Sequence, residues 1–246
     1  MLEPKIIFED EGILVLDKPA GIKVHRDDFT GESETTLADW LLKNYPNLAE
    51  VGEVFTSSSG QVFSKPGIVH RLDNETSGVL LVAKTFESYL FLKSQFKNHT
   101  ITKTYHALVY GNFNDWKVGE SRTVDVPLGR SSSDPRQRVA SVKANGPLRE
   151  AKTEFTLLEN LSDYSYLAAK PVTGRTHQIR AHLKYLQHPV VCDQLYARGA
   201  VCPPPLARQA LHALQLELEW PKGQRSTFTA SLPGDFKTTL DHLRQP

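Results

Sequence analysis

The sequence predicts an α+β fold with a large mixed, mostly antiparallel sheet flanked by helices. Predicted strands outnumber predicted helices, and the two do not alternate regularly, as they would in a doubly wound fold. An unbroken apolar run at 79–83 indicates a central strand that is buried on both faces. Alternating apolar and polar residues over 214–220 indicate a half-buried strand near the C-terminus.

The N-terminal segment begins with strand and turn signals. Apolar runs at 6–8 and 13–16 predict two paired strands, and the sequence KPAG at 18–21 predicts a tight turn after them. Thr36 and Asp39 have the spacing of a capping box. A short helix, which a later proline stops, is therefore expected to follow them.

The next elements alternate between loop, helix and strand. Segment 54–66 is rich in Ser and Gly and is interpreted as a loop. Thr85 is expected to cap a helix of about 12 residues, since apolar residues recur after it at spacings of three and four. A strand is predicted over 101–110, and its side chains should alternate so that Tyr105 lies on one face and His106 on the other.

The second half of the chain predicts two strands followed by a helix. The strands cover 153–158 and 164–169, and the helix covers 175–187. Isoleucine and leucine residues mark the buried face of this helix. Its exposed face is expected to carry Arg180 and Lys184.

Length and composition exclude several classes of protein. The chain has 246 residues, of which 39% are hydrophobic and 23% charged, so it can bury a core and is not generally disordered. With 29 Lys and Arg against 28 Asp and Glu it is no polybasic binder, and RNA binding would have to rest on local charge. No repeat or second boundary is evident, so a single domain over 1–246 is expected, whose closing helix is capped by Asp235.

Cysteine content and targeting signals bear on location. Cys192 and Cys202 can form neither a stapling framework nor a four-ligand zinc site, and they indicate a reducing compartment. Charged residues interrupt the N-terminus, and no apolar stretch approaches the roughly 18 residues of a membrane span. We therefore expect a cytoplasmic protein with no membrane partner.

Charge is distributed unevenly along the chain. Segment 130–152 contains six basic residues against two acidic ones, and its basic members are Arg130, Arg136, Arg138, Lys143, Arg149 and Lys152. Segment 27–53 is strongly acidic and should face away from any RNA. The basic segment is the candidate to follow phosphates.

Two polar clusters can carry chemistry. The sequence HRLDNETSG at 70–78 stands directly before the predicted central strand, where a polar cluster needs partners or a function. It fits a loop in which Asp73 accepts backbone hydrogen bonds, or, less well, a hydrolase pair of Asp73 and Glu75. The sequence GRTHQIRAH at 174–182 fits an anion-binding helix start, or an amphipathic helix with His182 satisfied at the core edge.

In their order and spacing these motifs resemble the RluA-type pseudouridine synthase family. The resemblance is carried by KPAG with His25, by HRLDNETSG, by Lys103 and Tyr105 in KTYHALV, and by GRTHQIRAHL at 174–183. It implies the pseudouridine synthase catalytic fold, with a central RNA-binding cleft. It also implies an isomerase that needs neither cofactor nor metal and rejoins uracil to its ribose through carbon 5.

The same resemblance implies roles for three residues. Asp73 would be the catalytic aspartate, and whether it attacks the base or the sugar carbon is left open. Tyr105 would stack on the target uracil, although a core or cross-strand packing role is the simpler reading of its position. Arg180 would pair with Asp73 and keep it ionised.

The expected partner is RNA, as a stem-loop of tRNA or rRNA bound by a monomer. Because the chain carries no S4-like RNA-binding domain before residue 6, recognition would fall to the catalytic domain. Arg71 is the candidate to fill the place of an extruded uridine. The proposed RNA-binding residues are Arg71, Arg175, His177, Gln178, Lys184, Arg136 and Arg138.

Two other functions are compatible with parts of the sequence. The first is an RNA-binding or chaperone module that keeps the fold without catalysis, for which loss of Asp73, Tyr105 or Arg180 would be the sign; all three are present. The second is a metal-assisted hydrolase that uses His70, His177 and His182. His177 and His182 are five residues apart, which departs from the same-face spacing of helical metal ligands.

Overall fold

A computed structural model describes residues 3–26, 30–31, 33–56 and 60–245. The chain forms two compact units. Unit 1 comprises Met1–Ile101 and Gln215–Ala230, and unit 2 comprises Thr102–Leu214 and Ser231–Pro246. Each unit is therefore assembled from segments that are distant in sequence. The expectation of a single catalytic domain over 1–246, without a separate RNA-binding domain, stays a prediction.

The described residues form strands and helices in mixed order. The strands are β1 (Lys5–Glu9), β2 (Ile13–Lys18), β3 (Gly52–Thr56), β4 (Val62–Pro66), β5 (Ser77–Ala83), β6 (Thr102–Tyr110), β7 (Ser121–Asp125), β8 (Leu128–Arg130), β9 (Arg138–Ala140), β10 (Asn145–Arg149), β11 (Lys152–Leu161), β12 (Tyr164–Pro171), β13 (Leu211–Glu219) and β14 (Arg225–Thr229). The helices are α1 (Leu37–Asn44), α2 (Phe86–Lys97), α3 (Gln178–Tyr185) and α4 (Gly234–Leu243), with a 3₁₀ helix at Pro46–Glu50.

The sheet of unit 1 has the strand order β1-β2-β5-β13, and β14 also pairs with β13. The pairs β1–β2, β2–β5 and β13–β14 are antiparallel. Every residue of β5 is buried, which confirms the predicted central strand. The first four residues of β2 are buried as well, so two neighbouring strands supply the apolar centre of this unit.

The sheet of unit 2 has the strand order β13-β6-β12-β11-β7. The pairs β6–β12, β11–β12 and β7–β11 are antiparallel. Its core packs Phe155 and Leu167 of the sheet against Leu183 of α3 and Phe236 of α4. The mixed, mostly antiparallel sheet with flanking helices confirms the predicted α+β class. The basic segment 130–152 falls largely in a separate small sheet of order β10-β8-β9.

Two helices, α1 and α2, begin where capping residues in the sequence predict. Thr36 accepts from the Asp39 amide and the Asp39 carboxylate accepts from the Thr36 amide, so the capping box before α1 is confirmed. Thr85 accepts from the Ser88 amide and begins the 12-residue helix α2, as expected. Both caps work through residues three positions apart and need no distant partner.

The prediction of a loop over 54–66 is wrong. The segment forms much of the antiparallel hairpin β3–β4, in which Val54 lies opposite Ser64 and Phe55 opposite Phe63. The Ser-rich residues 57–59, which lie outside the described residues, dominated the composition of the segment. On either side of them, however, β-branched and aromatic residues have the alternation that strands favour.

Helix α3 departs from its prediction in two respects. It covers Gln178–Tyr185 instead of 175–187, and it does not begin at residue 175 because His177 takes a left-handed conformation with φ of 55°. Lys184 is exposed, as expected, but Arg180 is buried with only 8% exposure, so its assignment to the exposed face is wrong. A guanidinium can be buried when it has an ion-pair partner, and the hydrophobic pattern of one helix does not reveal such a partner.

Helix α4 is not capped by Asp235. Its N-cap is Pro233, and Asp235 lies within the first turn, where its carboxylate accepts from Arg208 at 2.7 and 2.9 Å. Since an acidic residue is favourable throughout the first helical turn, sequence position alone did not distinguish the two arrangements.

The two cysteines of the chain lie close together in unit 2. Cys192 and Cys202 are joined by a disulfide that closes a short loop, and their Cα atoms are 5.2 Å apart. The reducing compartment inferred from these cysteines stays a prediction.

Among the described residues, no helix has the length and apolar character needed to cross a membrane.

Candidate active site

The segment that contains Asp73 is held by its neighbours in unit 1. Ile68 bridges to Val82, and the His70 Nε2 atom accepts from the Leu81 amide at 2.9 Å. The His70 ring stacks on Phe96 with centroids 4.8 Å apart. These contacts attach the chain before Asp73 to β5 and α2.

Asp73 itself is half-buried at the start of a turn. Leu72 beside it is buried, and the Asp73 carbonyl accepts from the Thr76 amide at 3.2 Å. Thr76 and Ser77 are also buried as the chain enters β5. The main chain is therefore anchored on both sides of the carboxylate.

Lys18 ties the KPAG turn to this segment. Its side chain has no exposed surface, and Nζ donates to the carbonyls of Pro19 at 2.9 Å, Ile22 at 2.9 Å and Asn74 at 3.0 Å. The Gly21 amide donates to the same Asn74 carbonyl at 2.9 Å. Two donors from one turn thus fix the residue after Asp73.

Lys18 was not among the residues predicted from the KPAG motif to have a role. A lysine that directly continues a buried strand was an available signal, because such a charge must be given partners.

In unit 2, Arg180 is held by a buried carboxylate. Its Nε and Nη2 atoms donate to the two oxygens of Asp193 at 2.6 and 2.9 Å. Asp193 is 1% exposed and also accepts from the amides of Leu195 and Tyr196 at 3.0 and 3.1 Å. A bidentate pair with two further donors fixes both the guanidinium and the segment after Asp193.

Tyr196 contacts three residues, two from the GRTHQIR motif and one from the basic segment. The Arg180 guanidinium lies over its ring, 5.0 Å from the centroid. Its hydroxyl donates to the Arg138 carbonyl at 3.1 Å, accepts from the Arg138 amide at 2.9 Å and lies 3.2 Å from His177 Nδ1. The sequence analysis missed both Asp193 and Tyr196, because their contacts depend on a loop that returns to α3 and β9.

Tyr105 lies on β6 opposite Ala169 of β12 and packs, half-buried, against the core of unit 2. Lys103 precedes it by two positions on the same strand, and its Nζ donates to the Thr173 carbonyl at 3.2 Å. Burial lowers the pKa of Lys103 to about 8. The start of β6 therefore holds a ring and a partly desolvated amine close to the turn that leads into α3.

The predicted RNA-binding residues near α3 have different environments. Arg175 and Lys184 are exposed, and the Arg175 Nε atom donates to the Glu150 carbonyl at 3.0 Å. Gln178 is buried, and its amide nitrogen donates to the Lys152 carbonyl and the Thr153 hydroxyl, both at 3.0 Å. Its amide oxygen accepts from Thr173 and from the Arg175 amide. The amide nitrogen of Gln178 thus binds β11 while its oxygen binds the turn before α3, and an RNA contact of this residue stays a prediction.

The basic segment also contains an internal ion pair and a bond from a guanidinium to the main chain. Arg136 is exposed and bonds to Asp134 through Nη2 at 2.8 Å, and this guanidinium holds the pKa of Asp134 well below its usual range. Arg138 is half-buried, and its Nη1 atom donates to the Pro135 carbonyl at 3.1 Å.

The remaining predicted RNA-binding residue, Arg71, lies in unit 1 and is exposed.

The histidines considered for a metal site have protein partners. His182 is fully buried, and its ring nitrogens lie 2.9 Å from the Thr153 hydroxyl and 2.9 Å from the Val126 carbonyl oxygen. Burial is the main cause that lowers the pKa of His182. The reading of His182 as a satisfied histidine at the core edge is confirmed. Over the described ranges, no group of three or more His, Cys, Asp or Glu is placed to hold a metal ion.

A family model described as RNA pseudouridylate synthase matches residues 12–185, which include the Asp73 segment and α3. The chain belongs to this family. It is thus an isomerase that acts on uridine in RNA, as the motifs imply. A Synechocystis protein described as an uncharacterized RNA pseudouridine synthase is 39% identical over 98% of the synthase and 69% of the relative.

Other relatives and solved structures agree with this assignment. The ribosomal large subunit pseudouridine synthase D of Pseudomonas aeruginosa is 37% identical over 99% of the synthase and 73% of the relative. In fold, the synthase resembles the human RNA pseudouridylate synthase domain containing 4, with a TM-score of 0.70 and 23% identity over 97% of the synthase and 92% of that chain. At this level of identity the structural match supports the fold alone.

Replacing Asp193 with Asn is expected to lower the free energy of unfolding by about 3 kcal/mol, because the buried Arg180 guanidinium loses its counter-charge. Urea denaturation of the full chain measures the change. Asp163→Asn in an exposed turn is the matched control and should stay within about 0.5 kcal/mol of wild type. An equal loss in the two variants would contradict the stabilising role of the pair.

A second prediction concerns the pH dependence of stability. The pKa of Lys103 is about 8 in the folded chain and 10.5 as its ordinary value, so between these pH values the unfolded chain binds more protons. The stability of wild type relative to Lys103→Met should therefore rise from pH 8 to 10.5, by up to about 3 kcal/mol. Lys184→Met, which removes an exposed lysine, should show no such trend in the same urea series. A flat difference for Lys103→Met would refute the effect of burial.

Proposed function

We propose that this synthase converts a uridine in a stem-loop of ribosomal or transfer RNA to pseudouridine, with Asp73 as the catalytic aspartate. Large-subunit ribosomal RNA is the favoured substrate, since the Pseudomonas aeruginosa relative and one from Nitrosomonas europaea carry that substrate in their names. The observation that carries the proposal is the half-buried carboxylate of Asp73 on a main chain that Lys18, Gly21 and His70 fix from both sides.

The chemistry requires one bond exchange within the nucleoside. The bond from C1′ to N1 of uracil breaks, the base turns, C1′ bonds to C5, and the proton on C5 leaves while N1 gains one. Substrate and product contain the same atoms, so the reaction needs no oxidant, reductant or group donor. The Asp73 carboxylate starts the detachment, by attack on the base or on the sugar carbon.

Arg180 and Tyr105 complete the proposed catalytic group. Arg180 pairs with Asp73 and keeps it ionised at neutral pH. Tyr105 stacks on the extruded uracil, and Arg71 takes the place that the base vacates.

RNA affinity comes in large part from phosphate contacts. Arg175 and Lys184 are exposed at the two ends of α3, and Arg136 and Arg138 belong to the neighbouring basic segment. His177 is bound at Tyr196 beside Arg138 and supports the same surface. The monomeric state and cytoplasmic location expected from the sequence stay predictions.

Asp73→Ala and Asp73→Asn should reduce pseudouridine formation at least about a hundredfold while RNA binding persists, because the nucleophile is lost and the phosphate contacts remain. The measurement is pseudouridine mapping in ribosomal and transfer RNA that is isolated from cells lacking this gene and then treated with each protein. Glu75→Gln, in the same loop, is the control and should keep activity. Full activity of Asp73→Ala would refute the proposal, and RNA binding without any turnover by wild type would favour a non-catalytic RNA-binding module.

Arg175→Ala and Lys184→Ala should each weaken RNA binding and make the slope of log affinity against log salt shallower by about 0.7 to 0.9, as expected for one lost phosphate contact. Filter binding at several salt concentrations tests this. Lys237→Ala, on the exposed side of α4, is a charge-matched control that should keep the wild-type slope. Identical slopes for all three variants would refute a phosphate contact by Arg175 and Lys184.

A further inference from the structure

One face of the hairpin β3–β4 in unit 1 combines aromatic rings with positive charge. Phe55 lies opposite Phe63, and Glu53 lies opposite Lys65, so the four side chains share this face. The two phenyl centroids are 5.5 Å apart, and Lys65 Nζ lies 4.2 Å from the centroid of Phe55. We call Phe55, Phe63 and Lys65 the hairpin face.

The base of the hairpin is attached firmly to the sheet of unit 1. The Gly67 amide donates to the Val51 carbonyl at 2.6 Å, and the Ala83 amide donates to the Gly67 carbonyl at 2.8 Å. Gly67 has φ of 62°, and a Cβ atom there would lie 2.2 Å from the Ala83 carbonyl oxygen. Only glycine fits this close approach, so the orientation of the hairpin is set at its base.

The hairpin leads directly into the segment of Asp73. The chain passes from β4 through Gly67 and the Ile68 bridge to His70 and Arg71. The ring of His25, which follows the KPAG turn, meets the Phe55 ring edge-on with centroids 5.6 Å apart. The hairpin face thus contacts the segment that follows the KPAG turn.

Lys65 is one of three cations in this part of unit 1. Burial lowers the pKa of Lys65, Glu53 opposes this, and the charges of Arg71 and Lys93 lower it further, so these cations lie close enough to repel one another. Glu53 pairs with Lys93 at 3.1 Å and leaves the group positively charged as a whole. A polyanion would relieve this repulsion, whereas an acidic surface patch or an apolar segment without charge would match only part of the face.

We propose that the hairpin face, with Arg71 and Lys93, binds a single-stranded stretch of RNA next to the target uridine. An unpaired base stacks on the Phe55–Phe63 pair, and the adjoining phosphates lie against Lys65 and Arg71. Aromatic rings next to cations suit this ligand, because every base offers a flat π surface while the backbone carries one charge per nucleotide. This inference rests on the RNA substrate of the proposed function, and it adds a contact that the motifs do not include.

The opposite face of the hairpin supplies the matched control. Val54 and Val62 are 67% and 65% exposed there, on the same two strands and with similar apolar character. Substitutions at these positions change the hairpin without touching the rings or the charges. The comparison therefore separates stacking from any general effect on the hairpin.

Binding of fluorescein-labelled dodecauridylate to the full chain, followed by fluorescence anisotropy, tests the proposal. Phe55→Leu/Phe63→Leu, which keeps apolar volume and removes the flat rings, should raise Kd at least about tenfold. Val54→Ala/Val62→Ala should stay within about twofold of wild type. A wild-type Kd for the double leucine variant, with an unchanged circular dichroism spectrum, would overturn the proposal.

A charge variant decides the matter if the double leucine variant does not fold. Lys65→Gln should weaken binding of the same probe and make its salt slope shallower by about 0.7, the value for one phosphate on a single strand. An unchanged slope would overturn the proposal. Ultraviolet cross-linking of the probe should label the peptide that contains Phe55 or Phe63, and labelling confined to other peptides would also count against it.

Further outcomes separate this inference from the proposed function and RNA from an acidic protein segment. Asp73→Ala should bind the probe like wild type, since it leaves the hairpin face intact. If wild type forms no pseudouridine in any RNA, the proposed function fails, while the anisotropy comparison still reports on the hairpin face. If polyglutamate displaces the probe as effectively as unlabelled RNA does at equal charge concentration, the face favours an acidic protein segment and the RNA proposal is refuted.

Discussion

A charged side chain that is removed from water must be given fixed partners, and this requirement shapes both motif regions of the chain. In unit 1 the ammonium of Lys18 is surrounded by three main-chain carbonyls, one of which belongs to the residue after Asp73. In unit 2 the guanidinium of Arg180 is matched by the two oxygens of Asp193. In each case the charge can be buried only if the surrounding main chain keeps one arrangement, so the partners of the charge become the rigid frame of the site.

The two frames differ in the kind of group that they hold in place. Lys18 binds carbonyls and therefore positions a loop, whereas Asp193 binds a side chain and therefore positions the guanidinium directly. Tyr196 extends the second frame, because its ring lies under Arg180 and its hydroxyl bonds to the main chain of Arg138. A residue of α3 is thereby connected to the small basic sheet. Positioning through buried polar contacts is well suited to a reaction that exchanges one glycosidic bond for another within one nucleoside and depends on geometry.

Sequence reasoning succeeded where a signal was local. The capping box of Thr36 and Asp39, the buried strand β5 and the 12-residue helix α2 depend on residues a few positions apart, and the structure confirms each of them. The motifs likewise led to the correct family. Reasoning failed where composition was averaged over too long a window, as in the hairpin β3–β4, and where a helical pattern was taken to decide exposure, as for Arg180.

The sequence by itself determined the fold class, most strand and helix positions, the family and the residue types proposed for the chemistry, because hydrophobic periodicity and motif spacing are properties of the chain. Only the tertiary structure decided that Asp193 neutralises Arg180, that Tyr196 joins α3 to β9, that Gln178 joins the start of α3 to β11, and that Phe55 and Lys65 share a face. These contacts join residues that are separated along the chain or lie on facing strands. Their partners are chosen by packing and by the need to satisfy buried polar groups, which no local pattern encodes.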